Sequence, residues 1–206
     1  IYLNIYPDLR FLMPNIKLIH IPYFVFRDIP IHNTPVPKLV LDFKPMKKNY
    51  IFINLDMISF NFSFNNLNSN EKNFLINSLI NKFSSYNFII NDLENEIKIK
   101  KSNLMIFQGN YKKLLRLAAC SRLFISMRNG LCDVIAASTK KLPMFIIYPD
   151  ENYPGPDGSP FIKIIGMKEI GYQNHIEEYS LSKNKDKNLA KLYKRLVNFI
   201  NKYYER

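Results

Sequence analysis

The segment from Leu123 to Asp150 constrains the fold more than any other part of the chain. An apolar run, 123–127, is followed at once by a polar turn that contains a glycine, and then by small and apolar residues at helical spacing up to Ser138. A second apolar run covers 144–148. Strand, turn, helix and strand with almost no spare residues predict a parallel βαβ unit.

The same alternation extends upstream as far as Tyr50. Apolar runs near 50–55, 86–90 and 104–107 predict further strands, and Asn68 with Glu71 forms the pattern of a helical capping box. We therefore expect an α/β fold with a Rossmann-like, doubly wound parallel sheet over 50–206. Four more elements are predicted: a helix over 111–120, a strand over 161–165, a short turn or helix over 168–171 and a final amphipathic helix over 189–203.

Residues 1–49 differ from the rest because prolines interrupt every apolar segment in them. Proline removes a backbone donor and breaks helices and central strands. We expect 1–49 to be the tail of an amino-terminal domain with a linker, and the chain to be a fragment of a longer protein.

The formal charge of +12 raises the question of nucleic acid. The basic residues are scattered, however, and no zinc-finger spacing or RNA-binding signature accompanies them. Lysine here also accompanies abundant isoleucine and asparagine, as the composition of an AT-rich genome would produce. We expect no nucleic-acid partner, and favour peripheral association with anionic membranes or acidic glycans.

Cysteine and histidine usage argues against a metal site within this chain. Cys120 and Cys132 form no CxxC pair and lie in apolar surroundings, which predicts reduced, buried thiols and a cytoplasmic location. The three histidines lie far apart and show no ligand spacing.

The candidate site is the carboxyl edge of the predicted sheet, where ligands bind in doubly wound folds. The glycine turn at 128–130 begins a helix there, and unpaired amides at a helix start can hold a diphosphate or a carboxylate. Arg128, Asn129, Gly130 and Leu131 are therefore candidate ligand-binding residues. Arg128 suits bidentate oxyanion contact, and a salt bridge with Asp150 or Glu151 is the alternative. Gly130 is expected to permit a positive φ or to cap the helix.

The motif S-x-R-N-G-L-C-D at 126–133, followed by a strand that ends in Y-P-D, resembles the carboxyl-terminal half of bacterial GT-B glycosyltransferases of surface-polysaccharide and lipopolysaccharide synthesis. Asn129 stands where those proteins usually have serine, and the resemblance covers about 50–179. It implies a nucleotide-diphosphate sugar bound mainly by this domain and an acceptor, glycan or lipid-linked, bound by the other half. The catalytic base would then lie outside the chain. The absence of a D-x-D motif argues against the metal-dependent GT-A class, and we expect no cofactor.

The resemblance also suggests roles for the remaining strand ends. Gln108 and Gly109 match a place where GT-B proteins contact the nucleobase through the backbone, and a plain turn is the alternative. Three acids, Asp133, Asp150 and Glu151, could accept hydrogen bonds from ribose or sugar hydroxyls. Asp133 would equally suit the helix dipole or a cap amide, and the other two could simply be solvated. Tyr148 could stack on a base or fill the core.

Two other functions stay open on the sequence. A non-catalytic nucleotide- or glycan-binding module would keep the Rossmann-like half alone. A sugar-nucleotide epimerase shares the two-domain build, but it should carry acidic and histidine residues near the donor ring, and no such cluster is visible.

Overall fold

The structure is a computed structural model, and it describes residues 43, 49–56, 67–138, 142–149, 162, 166–170, 172, 175–181 and 185–204. The predicted amino-terminal tail and linker therefore lie outside the described residues, apart from Phe43 and Asn49. The predicted strand over 161–165 is described only at Ile162, which is helical.

Six strands form one parallel sheet in the order β3-β2-β1-β4-β5-β6, which confirms the predicted α/β fold. Ile51 at the start of β1 pairs with Phe88 of β2 on one side and with Leu123 of β4 on the other. The strands are β1 (Ile51–Asn54), β2 (Phe88–Asn91), β3 (Leu104–Phe107), β4 (Leu123–Met127), β5 (Met144–Tyr148) and β6 (Ile176–Ser180). The first three strands follow one another from β1 outward to β3, and the last three from β4 outward to β6 on the other side. The strand order therefore reverses between β1 and β4.

Five helices accompany the sheet in the described part of the chain. They are α1 (Ser69–Lys82), α2 (Tyr111–Ala119), α3 (Gly130–Ala137), α4 (Met167–Ile170) and α5 (Lys185–Tyr204). None of these described helices has the length and apolar character needed to cross a membrane.

The predicted capping box of α1 is confirmed. The side chain of Asn68 accepts a hydrogen bond from the Glu71 amide at 3.0 Å, and the Glu71 carboxylate accepts one from the Asn68 amide at 2.8 Å. The sequence predicts one apolar face of α1 made of Phe74, Leu75, Leu79, Ile80 and Phe83. This prediction is wrong at Phe74, which is 55% exposed, whereas Lys72 is only 5% exposed. The reason for the burial of Lys72 lies in its partners, described below.

Apolar side chains cover both faces of the sheet, which makes a three-layer domain. Phe52 and Phe124 stack 5.8 Å apart on the face that packs against α2 and α3. Phe145 points to the other face and meets Phe199 of α5 edge-on at 5.4 Å. Since both faces are covered, polar groups can meet a ligand only at the strand ends.

Candidate functional site

A cavity of about 360 Å³ opens at the carboxyl edge of the sheet, between the ends of β1 and β4. Its walls come from the ends of β1 and β2 and from the first residues of α2 and α3. The lining residues are Asn54, Asp56, Asn91, Leu93, Tyr111, Leu114, Asn129, Gly130 and Leu131. This is the point where strand order reverses, and it is where open α/β sheets bind ligands.

The start of α3 forms one wall of this cavity. Asn129 caps the helix: its Oδ1 accepts from the Leu131 amide at 3.0 Å, and its carbonyl accepts from the Cys132 amide at 3.0 Å. Gly130 is exposed and has no positive φ, and, apart from its chain neighbours and the backbone of α3, no heavy atom lies within 4 Å of the place a Cβ would take. The expected role of Gly130 in a positive-φ turn or cap is therefore wrong. Its backbone is simply open to the cavity.

Arg128 stabilises the turn at the start of α3 through its guanidinium. Its guanidinium makes a bidentate pair with the Asp133 carboxylate at 2.7 and 2.8 Å and donates to the Asn129 carbonyl at 2.8 Å. Burial alone would lower the pKa of Arg128, but the Asp133 carboxylate outweighs it and raises that pKa. Arg128 is 6% exposed and is not among the described residues that line the cavity. The direct contact of Arg128 with an oxyanion stays a prediction, while its pairing with Asp133 supports a role of that acid in orienting the turn.

Gln108 and Gly109 lie away from the cavity, at the end of the edge strand β3. Gln108 is exposed and donates to the Asn95 side chain at 3.3 Å. A Cβ on Gly109 would lie only 2.5 Å from the Phe107 ring, so packing explains this glycine. Two strands separate β3 from β4 in the sheet, and the predicted nucleobase contact is not supported by this placement.

Tyr148 is a core residue. It is fully buried, its hydroxyl donates to the Glu178 carboxylate at 2.5 Å, and it accepts from the Met167 amide at 3.0 Å. Burial, reinforced by Glu178, raises the pKa of Tyr148 well above its usual range. The predicted stacking on a base is therefore wrong. The last two candidates, Asp150 and Glu151, lie outside the described residues.

We expect Tyr148→Phe to lower the free energy of unfolding by about 1 kcal/mol, because one buried hydroxyl and its hydrogen bonds are lost. The loss stays modest because the Met167 amide also donates to Glu178, at 2.7 Å. Urea unfolding measures the loss, and calorimetric titration with nucleoside diphosphates should show unchanged affinity. Reduced affinity at unchanged stability would return Tyr148 to the site.

A polar network joins the strand ends that border the cavity. Asn91 Nδ2 donates to Asn54 Oδ1 at 2.9 Å, and Asn54 Nδ2 donates to Ser126 Oγ at 3.3 Å. Asn129 Nδ2 also donates to Ser126 Oγ, at 3.4 Å. The sequence does carry a signal for two of these residues, since Asn54 and Asn91 are the polar residues that end the buried runs IFIN and FIIN.

A buried lysine, Lys72, pairs with Asp56, the acidic residue that lines the cavity. Lys72 Nζ contacts Asp56 at 3.1 Å, Glu94 at 3.1 Å and Glu96 at 2.6 Å. Burial would lower the pKa of Lys72, but its hydrogen bonds to Glu96 and Asp56 dominate and raise it. The other Asp56 oxygen accepts from the Leu93 amide at 2.7 Å. The ammonium thus already occupies the position that a cation would take among these three carboxylates.

Comparison with known proteins gives matches at the level of solved structures. No protein-family model and no curated protein matches the chain. The heptosyltransferase WaaC of E. coli, solved with ADP, is 12% identical with a TM-score of 0.44 over 76% of this chain and 45% of that one. A family 9 glycosyl transferase of Veillonella parvula is also 12% identical, with a TM-score of 0.42 over 72% and 39%.

A third structure, the dodecameric iron-containing heptosyltransferase TibC with ADP-D-beta-D-heptose, is 16% identical with a TM-score of 0.38 over 59% of this chain and 33% of that one. The chain therefore spans less than half the length of each of these structures. At these scores the likeness extends no further than a broad similarity of chain path.

Proposed function

We propose that this chain is the donor-binding half of a glycosyltransferase and that the cavity between β1 and β4 holds a nucleotide-diphosphate sugar. One observation carries the proposal: the open start of α3 and Asn91, whose buried amide oxygen has no hydrogen-bond partner among the described residues, line the same switch-point cavity. The turn that forms this wall, 126–133, is the motif that resembles GT-B glycosyltransferases.

The lining of the cavity suits the nucleoside part of such a donor. Leu93, Leu114 and Leu131 supply apolar surface, and Tyr111, 55% exposed, offers an aromatic ring on which a base can stack. Asparagine side chains between them offer neutral hydrogen-bonding groups. Apart from Asp56, which is 5% exposed, the lining is neutral and partly aromatic, as is typical of sites that bind uncharged polar rings.

The diphosphate would lie on the α3 side. The dipole at the start of a helix favours negative charge, and the Gly130 backbone is open there. Asp56, which lines the cavity, belongs to a cluster in which three carboxylates surround the single ammonium of Lys72 and leave a formal charge of minus two. Like charges repel, so the phosphates would lie away from the Asp56 carboxylate, on the amides at the start of α3.

In this proposal the chain binds the donor, orients it and stabilises the leaving diphosphate with the amides at the start of α3. No metal cofactor is needed for that role. The acceptor, a cell-surface glycan or a lipid-linked sugar, and the catalytic base would come from outside the described residues. Peripheral contact of the basic surface with anionic lipid would bring the enzyme to a lipid-linked acceptor.

Gly130→Ala tests the proposal without disturbing the fold. The added methyl meets open space in the protein and φ is not positive, so we expect unfolding free energy to stay the same or to rise by about 0.5 kcal/mol. The methyl would stand where a phosphate approaches, and we expect affinity for nucleoside diphosphates to fall at least about tenfold, or 1.4 kcal/mol. Calorimetric titration with ADP, UDP, GDP and CDP measures it.

Lys191→Ala, on the exposed side of α5, is the control and should leave both quantities unchanged. Parental affinity in Gly130→Ala would remove the start of α3 from the site. If the parent chain binds none of the four diphosphates, the proposal fails, and binding of a glycan instead would favour the non-catalytic module.

A further inference from the structure

Asn91 carries an unpaired hydrogen-bond acceptor in the wall of the cavity. The residue ends β2, is 3% exposed and lines the cavity, and its Nδ2 donates to Asn54. Its Oδ1 is buried and has no hydrogen-bond partner among the described residues. Nearly all buried polar atoms in proteins are paired, so this oxygen requires an explanation.

The hydrogen-bond network fixes which atom of Asn91 is left over. The Ser126 hydroxyl has one hydrogen, and it donates that hydrogen to the Met127 carbonyl at 2.6 Å. Ser126 Oγ can then only accept, and Asn54 and Asn129 must both present their NH₂ groups to it. Asn54 therefore turns its Oδ1 toward Asn91, and Asn91 must donate to it from Nδ2. The unpaired atom is an oxygen and cannot be exchanged for a donor by flipping the amide.

The orientation of Asn129 is fixed independently and agrees with this direction. Its Oδ1 accepts from the Leu131 amide at 3.0 Å, so its Nδ2 is the atom available to Ser126. The start of α3 and the end of β2 are thus connected through one chain of hydrogen bonds, in which the donor and the acceptor of each bond are fixed. Two backbone groups determine these directions: the Met127 carbonyl accepts from Ser126, and the Leu131 amide donates to Asn129.

We infer that Asn91 Oδ1 is a specificity-determining acceptor, which receives a hydrogen bond from a neutral donor group of the bound nucleoside. A neutral amide oxygen accepts from a hydroxyl or an amine and offers nothing to a phosphate or a carbonyl. The two-strand offset from β4, about 10 Å at 4.8 Å per strand, separates it from the phosphates at α3. The inference rests on the proposed function. The donor group is either a ribose hydroxyl or an exocyclic amine of the base.

Calorimetric titration of the parent chain with nucleotide analogues separates these two sources. The pairs ADP with inosine diphosphate and CDP with UDP differ at the exocyclic amine, and 2′-deoxy and 3′-deoxy forms of the tightest binder each lack one hydroxyl. We expect loss of the correct group to weaken binding about tenfold while loss of the others has little effect. Weaker binding of one deoxy form assigns the contact to that ribose hydroxyl. Weaker binding of inosine diphosphate than of ADP, or of UDP than of CDP, assigns it to the exocyclic amine.

Asn91→Leu shows whether Asn91 is the partner. The variant removes the amide, and with it the acceptor, while it keeps the branching and the heavy-atom count of the side chain, so we expect it to bind the complete and the deficient nucleotide equally. Asn87→Leu is the matched control, because it makes the same change just before β2, at the opposite edge of the sheet, and should keep the tenfold discrimination. A merely structural role for Asn91 would weaken both nucleotides alike and leave their ratio unchanged.

The outcomes distinguish this inference from the function on which it rests. If the parent chain binds nucleoside diphosphates but all analogues agree within about twofold, the acceptor role is wrong and the proposed function stands. Retained discrimination in Asn91→Leu would likewise overturn the acceptor role alone. If no nucleoside diphosphate binds, both fail. Should Asn91→Leu not fold, Asn91→Ala, which adds no bulk, replaces it in the same comparison.

Discussion

Lys72→Met should lower the free energy of unfolding by about 3–5 kcal/mol, the cost of leaving a buried charge without its partner. The Lys72 ammonium contacts Asp56, Glu94 and Glu96 within 3.1 Å, and the Asp56 side chain is only 4% exposed. Methionine fills similar space but leaves Asp56 buried beside two further carboxylates. The variant therefore loses three charge-assisted contacts and gains mutual repulsion.

Urea unfolding at neutral pH measures this loss. Lys82→Met is the matched control, because it makes the same substitution on the exposed side of the same helix and should change stability by less than about 0.5 kcal/mol. Adding Asp56→Asn to Lys72→Met should recover part of the loss, since it removes the buried charge. If Lys72→Met lowers the free energy of unfolding by less than about 1 kcal/mol, water replaces the ammonium and the cluster does not stabilise the fold.

The parts of this fold that the sequence predicted are those set by local pattern. β3, β4 and β5 have the predicted bounds, because each is a short apolar run closed by polar or turn residues. The start of α1 is also as predicted, since a capping box involves only residues three apart. β6 was not predicted because it contains two glutamates, as a strand that is only partly buried at a sheet edge can.

The errors concern contacts between residues distant in sequence. Sheet order decides which strand ends meet, and it places the ends of β1 and β2 beside the start of α3 while β3 lies at the edge. Asn91 therefore lines the cavity and Gln108 does not, although both follow apolar runs. The helical period places Lys72 on the buried face with Leu75 and Ile76, but a lysine is expected in solvent. Only its three acidic partners, 16 to 24 residues away, explain its burial.

Arg128 was ambiguous for a different reason. An arginine beside helix amides is equally suited to an oxyanion and to a nearby carboxylate, and the sequence cannot say which is within reach. The structure brings Asp133 into bidentate contact from one turn further along α3. The Arg128 guanidinium therefore balances an acid of the helix that follows it and supports the turn at Asn129. In the proposed function the phosphate contact falls to the backbone amides of that turn.

Arg128→Ala should accordingly lower the free energy of unfolding by about 1.5–3 kcal/mol, the range for hydrogen bonds to charged groups. We expect less than for Lys72→Met, because the Asp133 side chain is 32% exposed and water can take over part of the pairing. We expect the affinity for nucleoside diphosphates to fall only because the turn at the start of α3 becomes less ordered. Chemical unfolding and calorimetric titration of the same preparation give the two quantities.

A double-mutant cycle with Asp133→Asn separates support of the turn from direct ligand contact. If Arg128 acts through Asp133, the stability losses of the two single variants overlap and the double variant loses little more than either. In the same cycle both single variants should weaken nucleotide binding to a similar extent. The opposite pattern, parental stability in Arg128→Ala with nucleotide affinity lost and Asp133→Asn still binding normally, would make the guanidinium an oxyanion ligand that exchanges Asp133 for phosphate when the donor arrives.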